Sequence, residues 1–345
     1  MGRLLGAESN YDYVCARVRG MGSRLLSSAD VRELGIRCPS LELLSSALEK
    51  TDYGLEIELN SIRDFPDALA FLEVSISQSV GRFIRKVHSL GVGETRDLLG
   101  IYLLWGDLHN LRICLRQLAS GSREGFSLKG LEFWSEAPTS FYEELLSAEG
   151  ISRARDLAIS LGSPISQAFV EAVSVLERTK SLASAERRLF LSYREEVEGR
   201  LSLYSSYSAR RVREAVGVYL DVMNVVAFMR LGAGRSGRGE DLFLGDGLFL
   251  DAKRWRAALE KGMGALVVGT PYESLVVFGD PLASERKLER YFLERMCSMY
   301  RGDPISVDVP WGYMSLKRRE GMNLRILAVG IYFGRPLEEV FAKFV

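Results

Sequence analysis

The sequence predicts an all-α protein made of three similar helical-bundle domains. Most of the chain carries apolar residues at spacings of three and four, the period of a helix face. Runs with strand character are few and short. A polar motif recurs three times, with copies 114 and 99 residues apart in a chain of 345.

Taken in order, the segments read as follows. Ser40, just after Pro39, is placed to cap a helix carrying Leu41, Leu44, Ala47 and Leu48. Asp67 to Val87 lines up Leu69, Leu72, Ile76, Val80, Phe83 and Val87 in one stripe. Thr95 to Ala119 starts with charge and turns apolar. Ser166 to Tyr193, Ala209 to Leu231, Arg286 to Tyr300 and Ser315 to Tyr332 read as further helices. The strand-like runs are Ala265 to Val268, Leu275 to Phe278, and the alternation Leu55, Ile57, Leu59. Each is too short to found a sheet. The breaks are the Gly/Ser-rich Gly121 to Gly130, the six glycines between Gly232 and Gly247, and Gly302 to Gly312 with Pro304 and Pro310.

The repeat is the most specific feature. Its first copy runs from Asp107 through Asn110 to Arg116, and its second from Asp221 through Asn224 to Arg230. Both read Asp-x-x-Asn-aliphatic, then an apolar helix, then Arg at the same offset. A third copy holds Glu320 and Asn323, and its Asn-Leu-Arg-Ile repeats the letters that begin at Asn110. A glycine-bearing turn follows each copy, at Gly121, Gly232 and Gly334. On a helix, Asp107, Asn110, Leu111, Cys114 and Leu118 share a face. A carboxylate and an amide at the head of an apolar stripe are costly to bury unless hydrogen-bonded. Asp107, Asn110, Asp221, Asn224, Glu320 and Asn323 are therefore read as fasteners that bond the backbone ends of neighbouring helices. Three copies suit a repeated fold better than a catalytic centre. The expected domains are 1–128, 129–244 and 245–345, arranged around a pseudo-threefold axis rather than as a solenoid.

Composition narrows the function. The 45 basic residues balance 45 acidic ones, which argues against a general nucleic-acid binder. No apolar run is long enough to span a bilayer, and Met1 to Asn10 lacks the apolar stretch of a signal peptide. A cytoplasmic location is expected. Cys15, Cys38, Cys114 and Cys297 are scattered, without the spacing of a disulfide frame or a zinc site, and read as small buried hydrophobes. Arg outnumbers Lys 36 to 9, a bias that suits planar polar contacts at an interface.

Motifs for chemistry are scarce. Gly232 to Gly237 fits GxGxxG, but a dinucleotide loop needs a strand before it and a helix after it. A long helix precedes this one and more glycines follow, so it reads as an inter-domain loop. There is no Walker A sequence and no GxSxG elbow. His88 and His109 are the only histidines, and no metal spacing surrounds them. No catalytic, cofactor-binding or metal-binding residue is expected, and the residues alone point to a helical protein that holds other proteins.

Four stretches carry a family resemblance: Tyr11 to Arg19, Gly106 to Arg112, Leu220 to Val225 with Phe249 to Asp251 downstream, and Lys317 to Gly334. In their order and spacing the chain resembles the C subunits of the V/A-type rotary ATPases and ATP synthases, the counterparts of the eukaryotic V-ATPase d subunit. Two departures stand out. Gly245-Asp-Gly247 replaces a pair of adjacent glycines, and Gly264 to Asp280 matches poorly. The resemblance implies a funnel of three helical domains on the cytoplasmic face of a membrane proteolipid rotor ring. It also implies a central-stalk shaft seated in the funnel, no nucleotide site, no cofactor and no direct insertion into the membrane. Arg-rich contact with the short loops of the ring is a further expectation. A helical scaffold of another complex is the alternative. An all-α enzyme with Asp and Asn as metal ligands is a second one, though the dense acidic cluster it needs is missing.

Overall fold

The computed structural model describes residues 8–121, 130–231 and 239–345. Every regular element among them is helical, and no strand occurs among them. The first helices are α1 (Tyr11–Gly22), α2 (Ser28–Arg37), α3 (Leu41–Leu48), α4 (Gly54–Leu59), α5 (Ala68–Leu90) and α6 (Glu94–Ser120). The middle of the chain forms α7 (Thr139–Ser147), α8 (Ile151–Leu161), α9 (Pro164–Thr179), α10 (Leu182–Ser202) and α11 (Tyr207–Leu231). The rest forms α12 (Ala252–Lys261), α13 (Met263–Val267), α14 (Pro281–Ser298), α15 (Asp308–Tyr332) and α16 (Leu337–Phe341). Three short 3₁₀ turns, at 62–64, 240–242 and 299–301, join them.

Local chemistry explains many boundaries. Ser40 caps α3, its hydroxyl accepting from Leu43 N–H. Asp67, Asp251 and Asp280 cap α5, α12 and α14 through their carboxylates. Helix α6 stops at Gly121, whose φ of 63° lies in the left-handed region.

Three expectations change. Ser166 to Tyr193 is two helices rather than one. Lys180 turns left-handed with φ 54°, and Ser181 at once caps α10, accepting from Ser184 N–H. Neither residue is a glycine or a proline, so the break has no strong sequence mark. Helix α15 begins at Asp308, inside the expected break, because Pro310 falls in its first turn, where an N–H has no helical partner to lose. The strand-like runs become α4, α13 and a turn at 275–278. Leu266 and Val267 are buried within α13, so tertiary packing outweighs β propensity there. Gly232 to Gly237, with its GxGxxG pattern, lies outside the described residues, as does most of Gly121 to Gly130.

One continuous apolar core runs through the described chain. The helices that carry the repeat, α6, α11 and α15, are also the longest ones beside α5. Helix α15 packs mainly on α5, with α1 and α2 also against it, so the last long helix rests on the first part of the chain. Helices α9 and α10 form an antiparallel pair against α6, and α14 bridges α11 and α15.

Candidate functional site

The six repeat residues are all buried, at 3% exposure or less. They form three separate sites, one on each long helix. On α6, the Asp107 carboxylate accepts from Glu136 N–H at 2.9 Å, Ala137 N–H at 3.0 Å and the Tyr142 hydroxyl. One turn later, Asn110 bonds both backbone groups of Glu132. Its Oδ1 accepts from the N–H and its Nδ2 donates to the carbonyl, each at 2.8 Å. The pair thus holds the extended segment that leads into α7.

On α11, Asp221 accepts from three successive backbone N–H groups, Leu248 at 3.1 Å, Phe249 at 2.9 Å and Leu250 at 3.0 Å. The Tyr272 hydroxyl donates a fourth bond at 3.0 Å. Asn224 accepts from Leu244 N–H at 3.0 Å and donates to the Gly245 carbonyl at 2.9 Å. This pair holds the segment that leads into α12. Two glycines let backbone and clasp approach. A Cβ at Gly247 would collide with the Asp221 carboxylate, and one at Gly106 would stand 2.8 Å from the Trp134 carbonyl oxygen. Gly245-Asp-Gly247 therefore lies directly against this clasp, Gly245 through its carbonyl and Gly247 through its missing Cβ.

On α15 the pattern changes. Glu320 accepts from Leu26 N–H at 3.1 Å and from the Lys317 ammonium at 2.8 Å. Asn323 Oδ1 accepts from Val345 N–H at 2.9 Å, while Nδ2 reaches the Val345 carbonyl at 3.4 Å and the Ser28 hydroxyl at 3.3 Å. The first two clasps hold segments that follow them in the chain. The third holds Leu26 and Ser28, far upstream, together with Val345. In the first two, the backbone partners lie in the non-helical segments before α7 and α12 rather than at the helix ends expected from the sequence. The third does reach a helix end, since Ser28 is the first residue of α2 and Leu26 lies just before its cap.

Sequence reading missed the clasp donors Tyr142, Tyr272 and Lys317. The two tyrosines stand 35 and 51 residues beyond their aspartates, so no common spacing marks them. Lys317 sits three residues before Glu320, a spacing that could have been read as an i,i+3 pair. Its ammonium lies 4.3 Å above the Tyr53 ring and 4.7 Å from Phe83, with no exposed surface.

Burial sets the electrostatics. It pushes Asp107 up to about 6, against the pull of the Tyr142 and backbone donors. It pushes Asp221 up to about 6 in the same way, against Phe249, Tyr272, Leu250 and Leu248. Tyr142 and Tyr272 are held well above the ordinary phenol range by burial and by the carboxylate each faces, so both stay protonated and donate. Burial also raises Glu320, while Lys317 pulls it down.

The three long helices meet at their first turns. Ser206 and Tyr204, just before α11, donate to Glu94 and Asp97 in the first turn of α6. Tyr207 and Arg211 of α11 reach the buried Asp308 of α15 at 3.2 and 3.0 Å. Further along, Trp105 of α6 packs with Tyr219 of α11, Phe292 of α14 and Trp311 of α15, with ring centroids 5.2–5.4 Å apart. The Arg318 guanidinium lies 5.3 Å over Trp134 beside this cluster. His109 bonds the Gly130 carbonyl at 2.9 Å. The four cysteines are buried and unpaired with one another. Among the described residues, no three His, Cys, Asp or Glu side chains gather as a metal site would need.

The profile of the ATP synthase (C/AC39) subunit family matches residues 14–340. The chain belongs to this family. The V-type ATP synthase C subunit of Thermus thermophilus is 27% identical over 339 residues, covering 96% of this chain and 97% of the relative. The A-type ATP synthase C subunit of Haloquadratum walsbyi is 22% identical and covers 98% and 99%. That of Archaeoglobus fulgidus is 22% identical and covers 99% and 97%. The likeness therefore covers nearly the whole of this chain and nearly the whole length of these relatives. Gly264 to Asp280, the stretch that matches the family pattern poorly in the sequence, supplies Tyr272 to the second clasp. No helix among the described residues is long and apolar enough to cross a membrane.

Proposed function

We propose that the chain is the non-catalytic central-rotor adaptor of a V/A-type ATPase or ATP synthase. It joins the central-stalk shaft to the membrane proteolipid ring and passes torque between them, in support of ATP-coupled proton or sodium transport. In this reading the chain is cytoplasmic and reaches the membrane through the ring, without cofactor or metal. Its three helical units form a funnel about a pseudo-threefold axis, with thirds at 1–128, 129–244 and 245–345 each supplying one clasp helix. The observation that carries the reading is the family match over residues 14–340.

The geometry supports it physically. A torque adaptor has to keep one shape under load. A buried polar network whose members are satisfied favours a single packing, because every alternative leaves charges or amides unpaired. Asp107 with Asn110, Asp221 with Asn224, and Glu320 with Asn323 give each unit such a network. The third also holds Leu26 and Ser28 of the first part of the chain on α15, beside Val345, which supports a closed rather than an open arrangement of the units.

Affinity purification of the tagged chain from gently solubilised native membranes, followed by mass spectrometry, tests the reading. Recovery of a proteolipid and central-stalk subunits is expected. A clean monomer, or partners without proteolipid, would instead leave a helical scaffold of another complex.

A further inference from the structure

A groove of about 550 Å³ opens along the C-terminal half of α15. Ile326 and Val329 form its apolar floor, and Phe333, 63% exposed, forms one wall with Tyr332 edge-on beside it. Arg325, Arg335 and Lys343 line it as well, and Glu73 is the one carboxylate among its lining residues. The groove therefore combines a large apolar side chain in water with an excess of positive charge in a chain of zero net charge. Apolar surface of that kind rimmed by like charges marks an interaction site.

We propose that the groove receives a protein segment with an aliphatic or aromatic anchor flanked by Asp or Glu, from another subunit of the rotor. The inference rests on the adaptor reading and names the chemistry of one of its contacts. The concave shape favours a peptide over a membrane. A flat bilayer would meet Phe333 and Arg335 at the rim but leave Ile326 and Val329 uncovered. A second copy of the chain, docking through the same face, would set two basic rims against each other. An acidic segment satisfies both features, its anchor covering the floor and its carboxylates meeting Arg325, Arg335 and Lys343.

The test replaces Phe333 by the photo-crosslinker p-benzoylphenylalanine in the full chain, within the native complex. Illumination is expected to join it to a polypeptide segment rich in Asp and Glu around an apolar residue. Arg335→Glu with Lys343→Glu, both at exposed positions, is expected to cut that adduct by roughly tenfold or more while the melting temperature holds. An adduct with lipid, with a second copy or with a basic segment overturns the proposal, as does a yield that charge reversal leaves unchanged. Co-purification of rotary subunits is read in the same preparation. Their presence without an adduct removes the groove proposal alone, whereas their absence removes the adaptor reading beneath it.

Discussion

Replacing the three clasp asparagines by alanine should cost stability in a definite order, Asn224 first, Asn110 second and Asn323 last. Asn224 has no exposed surface, and its two partners, Leu244 and Gly245, are buried too. Asn224→Ala removes two bonds of 2.9 and 3.0 Å and strands a backbone N–H and a carbonyl away from water. Each lost neutral bond is worth about 1 kcal/mol, and a buried group left unmet costs about 1–3 kcal/mol. Taking about 1–2 kcal/mol for each of its two bonds, Asn224→Ala is expected to cost roughly 2–4 kcal/mol. Glu132, the partner of Asn110, is half-buried, so water can replace part of the loss, and about 1–2 kcal/mol is expected. Asn323 makes one short bond and two near the limit, at 3.3 and 3.4 Å, so about 1 kcal/mol is expected there. Hydrogen exchange read by mass spectrometry locates each effect. Every 1.4 kcal/mol is a factor of ten, so amides at 244–250 should lose roughly 30- to 1000-fold of protection in Asn224→Ala if they open locally. Segments 130–137 and 337–345 should respond to Asn110→Ala and Asn323→Ala in turn. Unchanged protection in all three segments would refute the clasp argument and would turn these asparagines toward a partner instead.

Three further outcomes follow from the same geometry. Lys317→Met should destabilise the chain by roughly 3–5 kcal/mol in urea unfolding, because it leaves Glu320 buried without its cation. A loss below about 1 kcal/mol would mean that the ion pair is dispensable. Asp107, raised by burial, stabilises the fold fully below the ordinary carboxylate range and loses that contribution as pH rises through about 6. Relative to Asp107→Asn, the wild-type chain should thus lose roughly 3 kcal/mol between pH 4 and pH 7, and a gap that moves the other way would contradict the burial cause. Gly247→Ala should open the second clasp, since its Cβ meets both the Asp221 carboxylate and the Gly217 carbonyl oxygen. Faster exchange at 248–250 checks this, and wild-type protection there would show that the loop can shift without harm.

The helical class and most long helices are legible in the sequence because apolar spacing is repeated over many turns. The clasp residues are legible for a different reason: the same letters recur at the head of three such stripes. What they hold is not legible. Glu132, Leu244 and Val345 contribute only backbone groups to the asparagines, and any residue type offers those. The tyrosines stand at unequal distances from their aspartates. The third clasp takes its partners from near both ends of the described chain, which no local pattern announces. The turn at Lys180 is hidden because a lysine, not a glycine, takes the left-handed conformation. The meeting of Trp105, Tyr219, Phe292 and Trp311 depends on how four helices cross, and periodicity within one helix carries no information about that.

In the proposed adaptor role this chain couples the shaft to the ring. Reconstitution of the complex in sealed vesicles, with and without the chain, tests it most directly. ATP hydrolysis and ion uptake are measured together. With the chain present, both should proceed, and blocking ion flow should slow hydrolysis. Without it, hydrolysis should continue while uptake disappears. Ion uptake that survives removal of the chain would contradict the adaptor role.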